Sequence, residues 1–148
     1  MRDGRIEQLG KPQQLYDGPQ SLYVANFLGK SNLFKGAVVD RSAREFSVSW
    51  KGQKLSVKSS NTKKIGDLVV LAVRPERIAF LHSDESADNV ISGVVSKETY
   101  LGAIHQFTVT SKNEEILVTC AHDQSDRRPT LGENVRLCWR ATDFAGVY

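Results

Sequence analysis

The chain has 148 residues, of which 40% are hydrophobic and 25% charged, proportions that suit one ordinary globular domain or two very small ones fused. Its longest apolar run, Leu68 to Val73, is strand-sized, far short of the roughly 20 residues a membrane-crossing helix needs. A net charge of +3 spread along the chain argues against a dedicated nucleic-acid binder, and two cysteines are too few for a disulfide scaffold.

The first ten residues lack the apolar core of a signal peptide. Asp3-Gly4 is a strong signal for a type I′ hairpin turn, with Ile6 and Gln8 in the strand that follows. Only Met1 and Arg2 precede that turn, so the sequence reads as starting inside a larger domain. Pro12 suits the first position of a short helix, and Gly18-Pro19 ends it. Leu22, Tyr23, Ala25, Asn26 and Phe27 show helical spacing up to Gly29. Two short helices are therefore predicted within 12–28.

From residue 32 the pattern changes to strands. Apolar and polar residues alternate between turn clusters, predicting strands at about 33–39, 45–50, 53–58, 68–73, 77–81, 90–97, 104–110, 115–120 and 134–140. Trp50-Lys51-Gly52-Gln53 and Ser111-Lys112-Asn113-Glu114 read as hairpin turns, and 83–88 as a polar connector. With no long helix after residue 30, the body is expected to be all-β.

The body repeats itself. Asn32-x-x-x-Gly36-x-Val38 matches Asn89-x-x-x-Gly93-x-Val95, and Gly66-Asp67-x-Val69-x-Leu71-x-Val73-Arg74 matches Gly132-Glu133-x-Val135-x-Leu137-x-Trp139-Arg140. The same opening and closing in the same order predicts two similar β units, about 32–81 and 89–145. Packing two such units as a double barrel would cover sheet edges and share a core.

At this stage the residues resemble a known family. Met1-Arg-Asp-Gly4 through Pro12, Tyr16 and Pro19, then Leu22-Tyr-Val24-Ala25-Asn-Phe27-Leu28-Gly29, resemble the end of the nucleotide-binding domain of ABC-type import ATPases. Leu71-Ala-Val73-Arg74-Pro75-Glu76-Arg77-Ile78, Tyr100-Leu101-Gly102 and the closing Gly132-Glu133 motif resemble the regulatory extension of those subunits, the TOBE domain. The resemblance implies a tandem OB-like (TOBE/MOP-like) β fold over 31–148, behind a short α-helical segment in 1–30 left from the ATPase domain. It implies a regulatory and dimer-stabilising role in an importer's ATP-binding subunit, with permease subunits as membrane partners and a cytoplasmic location. ATP and Mg would belong to the full-length subunit. The chain contains no GxxxxGK[ST] motif, so by itself it is expected to hold no cofactor and to hydrolyse nothing. Tyr100-Leu101-Gly102 resembles the polyamine, iron and phosphonate importers, with spermidine/putrescine the favoured cargo.

Several residues are candidates for function. Arg74, Glu76, Arg77, Tyr16, Tyr23 and Phe27 are the candidate interface. Arg74 and Glu76 would pair across units or subunits, or form a local ion pair at a corner made by Pro75. The apolar side chains of Leu15, Tyr16, Leu22, Tyr23, Phe27 and Leu28 crowd a short stretch, which invites self-association into a homodimer. Gly36, Gly66, Gly93 and Gly132 either bring backbone close to a small anion or serve bulges and turns. His82, His105 and His122 lack metal-ligand spacing. Cys120 and Cys138 read as reduced thiols that could be neighbours in space. Lys58, Lys63 and Lys64 beside Asn61 read as a solvated loop. Two alternatives stay open: a free-standing binder of a small, molybdate-like oxyanion, and a single-strand nucleic-acid binder stacking bases on Phe46, Trp50, Tyr100, Phe107 and Trp139.

Overall fold

The computed structural model describes residues 3–59, 63–82, 85–121 and 128–148. They form two short helices, α1 (Pro12–Asp17) and α2 (Leu22–Phe27). Ten strands follow: β1 (Asn32–Arg41), β2 (Glu45–Trp50), β3 (Gln53–Lys58), β4 (Leu68–Val73), β5 (Ala79–Phe80), β6 (Asn89–Leu101), β7 (Ile104–Ser111), β8 (Glu114–Ala121), β9 (Asn134–Trp139) and β10 (Phe144–Val147). A 3-10 turn, Pro75–Arg77, lies between β4 and β5. The all-β body with a helical start is the expected class.

Two compact units emerge, one comprising Met1–Arg74 with Thr142–Tyr148 and the other Pro75–Ala141. Each contains a five-stranded antiparallel sheet, in the order β10-β4-β1-β2-β3 in the first and β5-β9-β6-β7-β8 in the second. The orders correspond strand for strand, with one exchange. The strand that follows the first repeat, β5, pairs with β9 of the second unit; the strand that follows the second repeat, β10, pairs with β4 of the first.

The repeat holds at the level of single hydrogen bonds. Opening strand β1 lies along β4 from Asn32↔Val73 to Ala37↔Leu68, and β6 lies along β9 from Asn89↔Trp139 to Val94↔Asn134. Both opening strands shift register just after their valine, between Val38 and Asp40 and between Val95 and Lys97. Each such bulge is clamped the same way. Gly66 donates to Val38 O at 2.8 Å while Val38 donates to Asp67 O; Gly132 donates to Val95 O at 2.8 Å while Val95 donates to Glu133 O. The acid of the Gly-(Asp/Glu) motif closes its own turn, its carboxylate accepting from the Lys64 amide (2.7 Å) or the Thr130 amide (2.9 Å).

Cores follow the alternation. In the first unit Phe34, Val38, Phe46, Val48, Trp50, Leu55, Val57, Val69, Leu71 and Val73 are buried. In the second, Ile91, Val95, Phe107, Val109, Ile116, Val118, Leu137 and Trp139 take the matching places. Volume is redistributed between them. Trp50 packs edge-on against Phe34 with centroids 5.1 Å apart. The position equivalent to Trp50 is Ser111, whose hydroxyl donates to Ser92 O at 2.7 Å, and bulk returns as Trp139 where the first unit has Val73.

The hairpin turns fall where expected. Lys51-Gly52 and Lys112-Asn113 each place two successive residues at positive φ, the type I′ requirement, and so do Asp3 and Gly4. Met1 and Arg2 lie outside the described residues, and Ile6 and Gln8, expected in a strand after that turn, belong to no strand. Three further differences from the sequence reading have physical causes. Residues 77–81 shorten to a 3-10 turn and a two-residue strand, because Pro75 interrupts the chain after β4. β6 runs on to Leu101, since the Gly102 turn (φ +70°) lets the β6–β7 hairpin extend to Leu101↔Ile104. β10 carries no strand pattern in the sequence: Phe144-Ala-Gly-Val is short, and only pairing with β4 makes it a strand.

Candidate functional site

The six candidate interface residues fall into two groups. Glu76 and Arg77 are exposed on the 3-10 turn of the second unit. The other four belong to the first unit, where Arg74 is the centre of the arrangement. It sits at the end of β4 and is 3% exposed.

Its guanidinium is covered by the helical segment. Nη1 donates to Ala25 O (3.0 Å), Gly29 O (3.1 Å) and Ser31 Oγ (2.9 Å), and Nη2 donates to Tyr16 O (3.2 Å). Its carbon lies 4.2 Å from the centroid of the Tyr16 ring, a cation–π contact. The acceptors include carbonyls near the ends of α1 and α2, groups that a helix terminus leaves without an intrahelical partner. Each of these partners is a neutral oxygen of the same chain, so the local ion pair with Glu76 is not among them. An arginine suits this place because its planar fork reaches several acceptors at once.

Local sequence shapes the segment that covers it. Pro12 opens α1, and the Gln14 side chain accepts from the Lys11 amide at 3.4 Å. Ser21 caps α2, its hydroxyl accepting from Val24 N at 3.3 Å. Val24 and Ala25 are the buried residues of α2. Gln8 braces the turn between the helices, donating to Gly18 O and accepting from the Gln20 amide. A second anchor comes from the far end of the chain. The Tyr148 hydroxyl donates to Pro19 O at 2.9 Å, and the Tyr148 backbone pairs with Val70 beyond the end of β10. Burial raises the Tyr148 phenol pKa, against a smaller lowering by the Arg74 charge. No feature of the sequence read alone points to Tyr148.

Tyr23 is half-buried and stacks on Phe27, with centroids 6.2 Å apart. Phe27 itself is 73% exposed, as Ile6 and Leu9 largely are. These three apolar side chains are turned outward.

Other candidates resolve differently. Gly36 and Gly93 do bring backbone close, but to the protein: a Cβ on Gly36 would collide with the Ser49 carbonyl, and one on Gly93 with Thr110 O and Val109. Gly66 and Gly132 adopt φ of +93° and +81° in their turns. Phe46, Trp50, Phe107 and Trp139 are buried, leaving Tyr100 alone of the five aromatic residues able to meet a base. Cys120 shares the inward face of β8 with Ile116 and Val118, whereas Cys138 faces away from Leu137 and Trp139, so the two thiols point to opposite faces. Burial raises both thiol pKa values, which disfavours the reactive thiolate. His105 is buried with Nδ1 3.1 Å from Glu98 Oε1, and its ring meets Tyr100 edge-on. The His82 amide donates to the Glu85 carboxylate. Lys58 pairs with Glu45 at 3.0 Å. His122 and Asn61 lie outside the described residues. Among the described residues no three His, Cys, Asp or Glu side chains are placed to share a metal ion, and no helix is long and apolar enough to cross a membrane.

Comparisons with known proteins agree with this architecture. The chain is 35% identical over 145 residues to a spermidine/putrescine import ATP-binding protein PotA of Thermobifida fusca. It is 33% identical over 144 residues to that of Methylococcus capsulatus, and 33% over 147 residues to that of Rubrobacter xylanophilus. These alignments cover 94–95% of this chain but only 37–38% of each relative, so the chain spans just over a third of their length. Among solved structures, the cytoplasmic molybdate-binding protein ModG superposes with a TM-score of 0.66 at 19% identity, covering 78% of this chain and 94% of ModG. That likeness establishes the OB-like fold. The TOBE domain family matches residues 71–145, which take in the end of β4, Arg74-Pro75-Glu76 and the whole second unit. With that match across half of its length, the chain belongs to the TOBE domain family.

Proposed function

We propose that this chain is the regulatory part of the ATP-binding subunit of an ABC importer, with a polyamine as cargo. The observation that carries this reading is the extent of the likeness to the spermidine/putrescine import ATP-binding proteins. It covers the helical segment as well as both β units, running over 94–95% of the chain. In this reading residues 1–30 close the nucleotide-binding part, and the exposed side chains of Ile6, Leu9 and Phe27 pack against it. ATP and Mg bind in the portion of the subunit upstream of Met1. The β units pair with those of a second subunit at the cytoplasmic face of the membrane, below the permease subunits, and keep the two subunits together as the nucleotide-binding parts open and close.

The test is uptake of labelled spermidine and putrescine by cells carrying the gene whole, or with the region for 32–148 removed. The whole gene should restore uptake, and the truncated one should lose it or its regulation. The isolated 148-residue chain should bind neither ATP nor molybdate in a calorimeter. Stoichiometric molybdate binding, with polyamine uptake untouched by the truncation, would replace this reading with that of a free oxyanion binder.

A further inference from the structure

Arg74 and Arg140 occupy the same place in the two repeats. Each ends the closing strand of its repeat, after Val73 on β4 and after Trp139 on β9. The sheets around them correspond in strand order, register and bulge position. Yet Arg74 is buried and Arg140 is exposed. The difference between the two environments is the helical segment, which lies on the first unit. The second unit thus serves as an internal control. Its sheet forms with the closing arginine exposed, so burial of Arg74 is not a requirement of the β fold.

Burial of a guanidinium is costly unless its donors are satisfied. For Arg74 the satisfaction comes from one source. Tyr16 O, Ala25 O, Gly29 O and Ser31 Oγ are contributed by the segment between the start of α1 and the start of β1, and Tyr16 adds its ring face. Among the described residues Nε has no hydrogen-bond partner, so the side chain gives up one donor to reach this position. A side chain committed in this way fixes α1 and α2 relative to β4, and β4 lies between β10 and β1 in its sheet.

We propose that Arg74 is a dedicated pin: a positioning residue whose work is to fasten the helical segment to the first β unit, so that the two move as one body. On the importer reading, this is where the nucleotide-binding part grips the regulatory part. Displacement of one is passed to the other through the Arg74 guanidinium. This extension rests on that reading, whereas the pin itself does not.

The test uses Arg74→Gln and Arg74→Lys, with Arg140→Gln as control, in the 148-residue chain. Amide hydrogen exchange is read separately for 12–31 and for the strands. Lysine keeps the charge but cannot supply the fork. Both Arg74 variants should speed exchange in 12–31 about tenfold or more while amides in β1–β3 and β6–β8 keep their protection. Arg140→Gln should change neither region. Unchanged exchange in 12–31 would overturn the proposal, as would equal loosening of strands and helices in Arg74→Lys, which would make Arg74 a general core residue. In the complete transport complex, Arg74→Lys should keep basal ATP hydrolysis but lose its stimulation by spermidine and the uptake that goes with it. Loosened helices with stimulation intact would remove the coupling role and leave the pin. A gene with no ATPase or transport activity would remove the importer reading and leave the exchange result standing.

Discussion

Two glycines, Gly36 and Gly93, are fixed by what lies against them. A neighbouring strand's carbonyl crosses where their Cβ would stand, and backbone moves less readily than a side chain. Gly36→Ala and Gly93→Ala should therefore each destabilise by about 1–3 kcal/mol or more, as overpacking does, readable as a lower urea midpoint. Gly36→Ala should be the worse, because its backbone collision, with the Ser49 carbonyl, is the closer of the two. The pairing of these glycines is visible in the sequence, but their reason is not: a repeat marks a position without saying which atom fills the space beside it. Arg74 shows the same limit. Its place after a strongly apolar strand is legible, but its partners come from residues more than forty positions away. Tyr148 carries a pH prediction. Its folded pKa is raised by burial, so the neutral phenol is the form the fold favours. That contribution is fully present below the ordinary tyrosine pKa of about 10 and is lost as pH rises through the higher folded value. Circular dichroism should show the helical signal weakening above about pH 10. Tyr148→Phe should remove that step and cost about 0.5–1.5 kcal/mol for the lost hydrogen bond to Pro19.

At the scale of elements, the type I′ turns and the alternating strands are legible because their causes are local. Lys51-Gly52 and Lys112-Asn113 need φ > 0 at both central positions, and Gly and Asn tolerate it best. The same pair of turns offers a comparison inside one chain. Asn113 holds φ +64° where its counterpart Gly52 holds +80°. Asn113→Gly should be neutral or stabilising by up to about 1 kcal/mol, and Gly52→Val destabilising by at least as much, since a β-branched residue fits that region worst. Thermal midpoints of the two variants decide it. What stays illegible is the element made by long-range pairing alone. β5 falls inside the strand expected at 77–81, cut to two residues, but the four-residue β10 has little propensity of its own. Its strand character comes from β4, which presents an edge to pair with.

On the scale of the whole molecule, a sequence repeat and a compact unit turn out to be different objects. The repeat runs from β1 to β5 and then from β6 to β10, but the sheets exchange their last members, so the second unit is the uninterrupted stretch Pro75–Ala141. The first needs both ends of the chain, because β10 pairs with β4 and Tyr148 anchors the helical segment at Pro19. Two ways of cutting the chain should thus behave oppositely. A fragment of 75–141 keeps all five strands of its sheet and should fold alone, with dispersed amide resonances and a cooperative transition. A fragment of 1–81, which follows the repeat, carries β5 without β9 and lacks β10 over β4. It leaves Val69, Leu71 and Val73 on a strand with an uncovered edge, and such edges pair with whatever strand is available. That fragment should aggregate or unfold, and a peptide of 142–148 added in trans should partly restore it. If 1–81 folded as well as 75–141 without the peptide, the exchanged strands would be dispensable, and the sheets would owe their closure to the repeats alone.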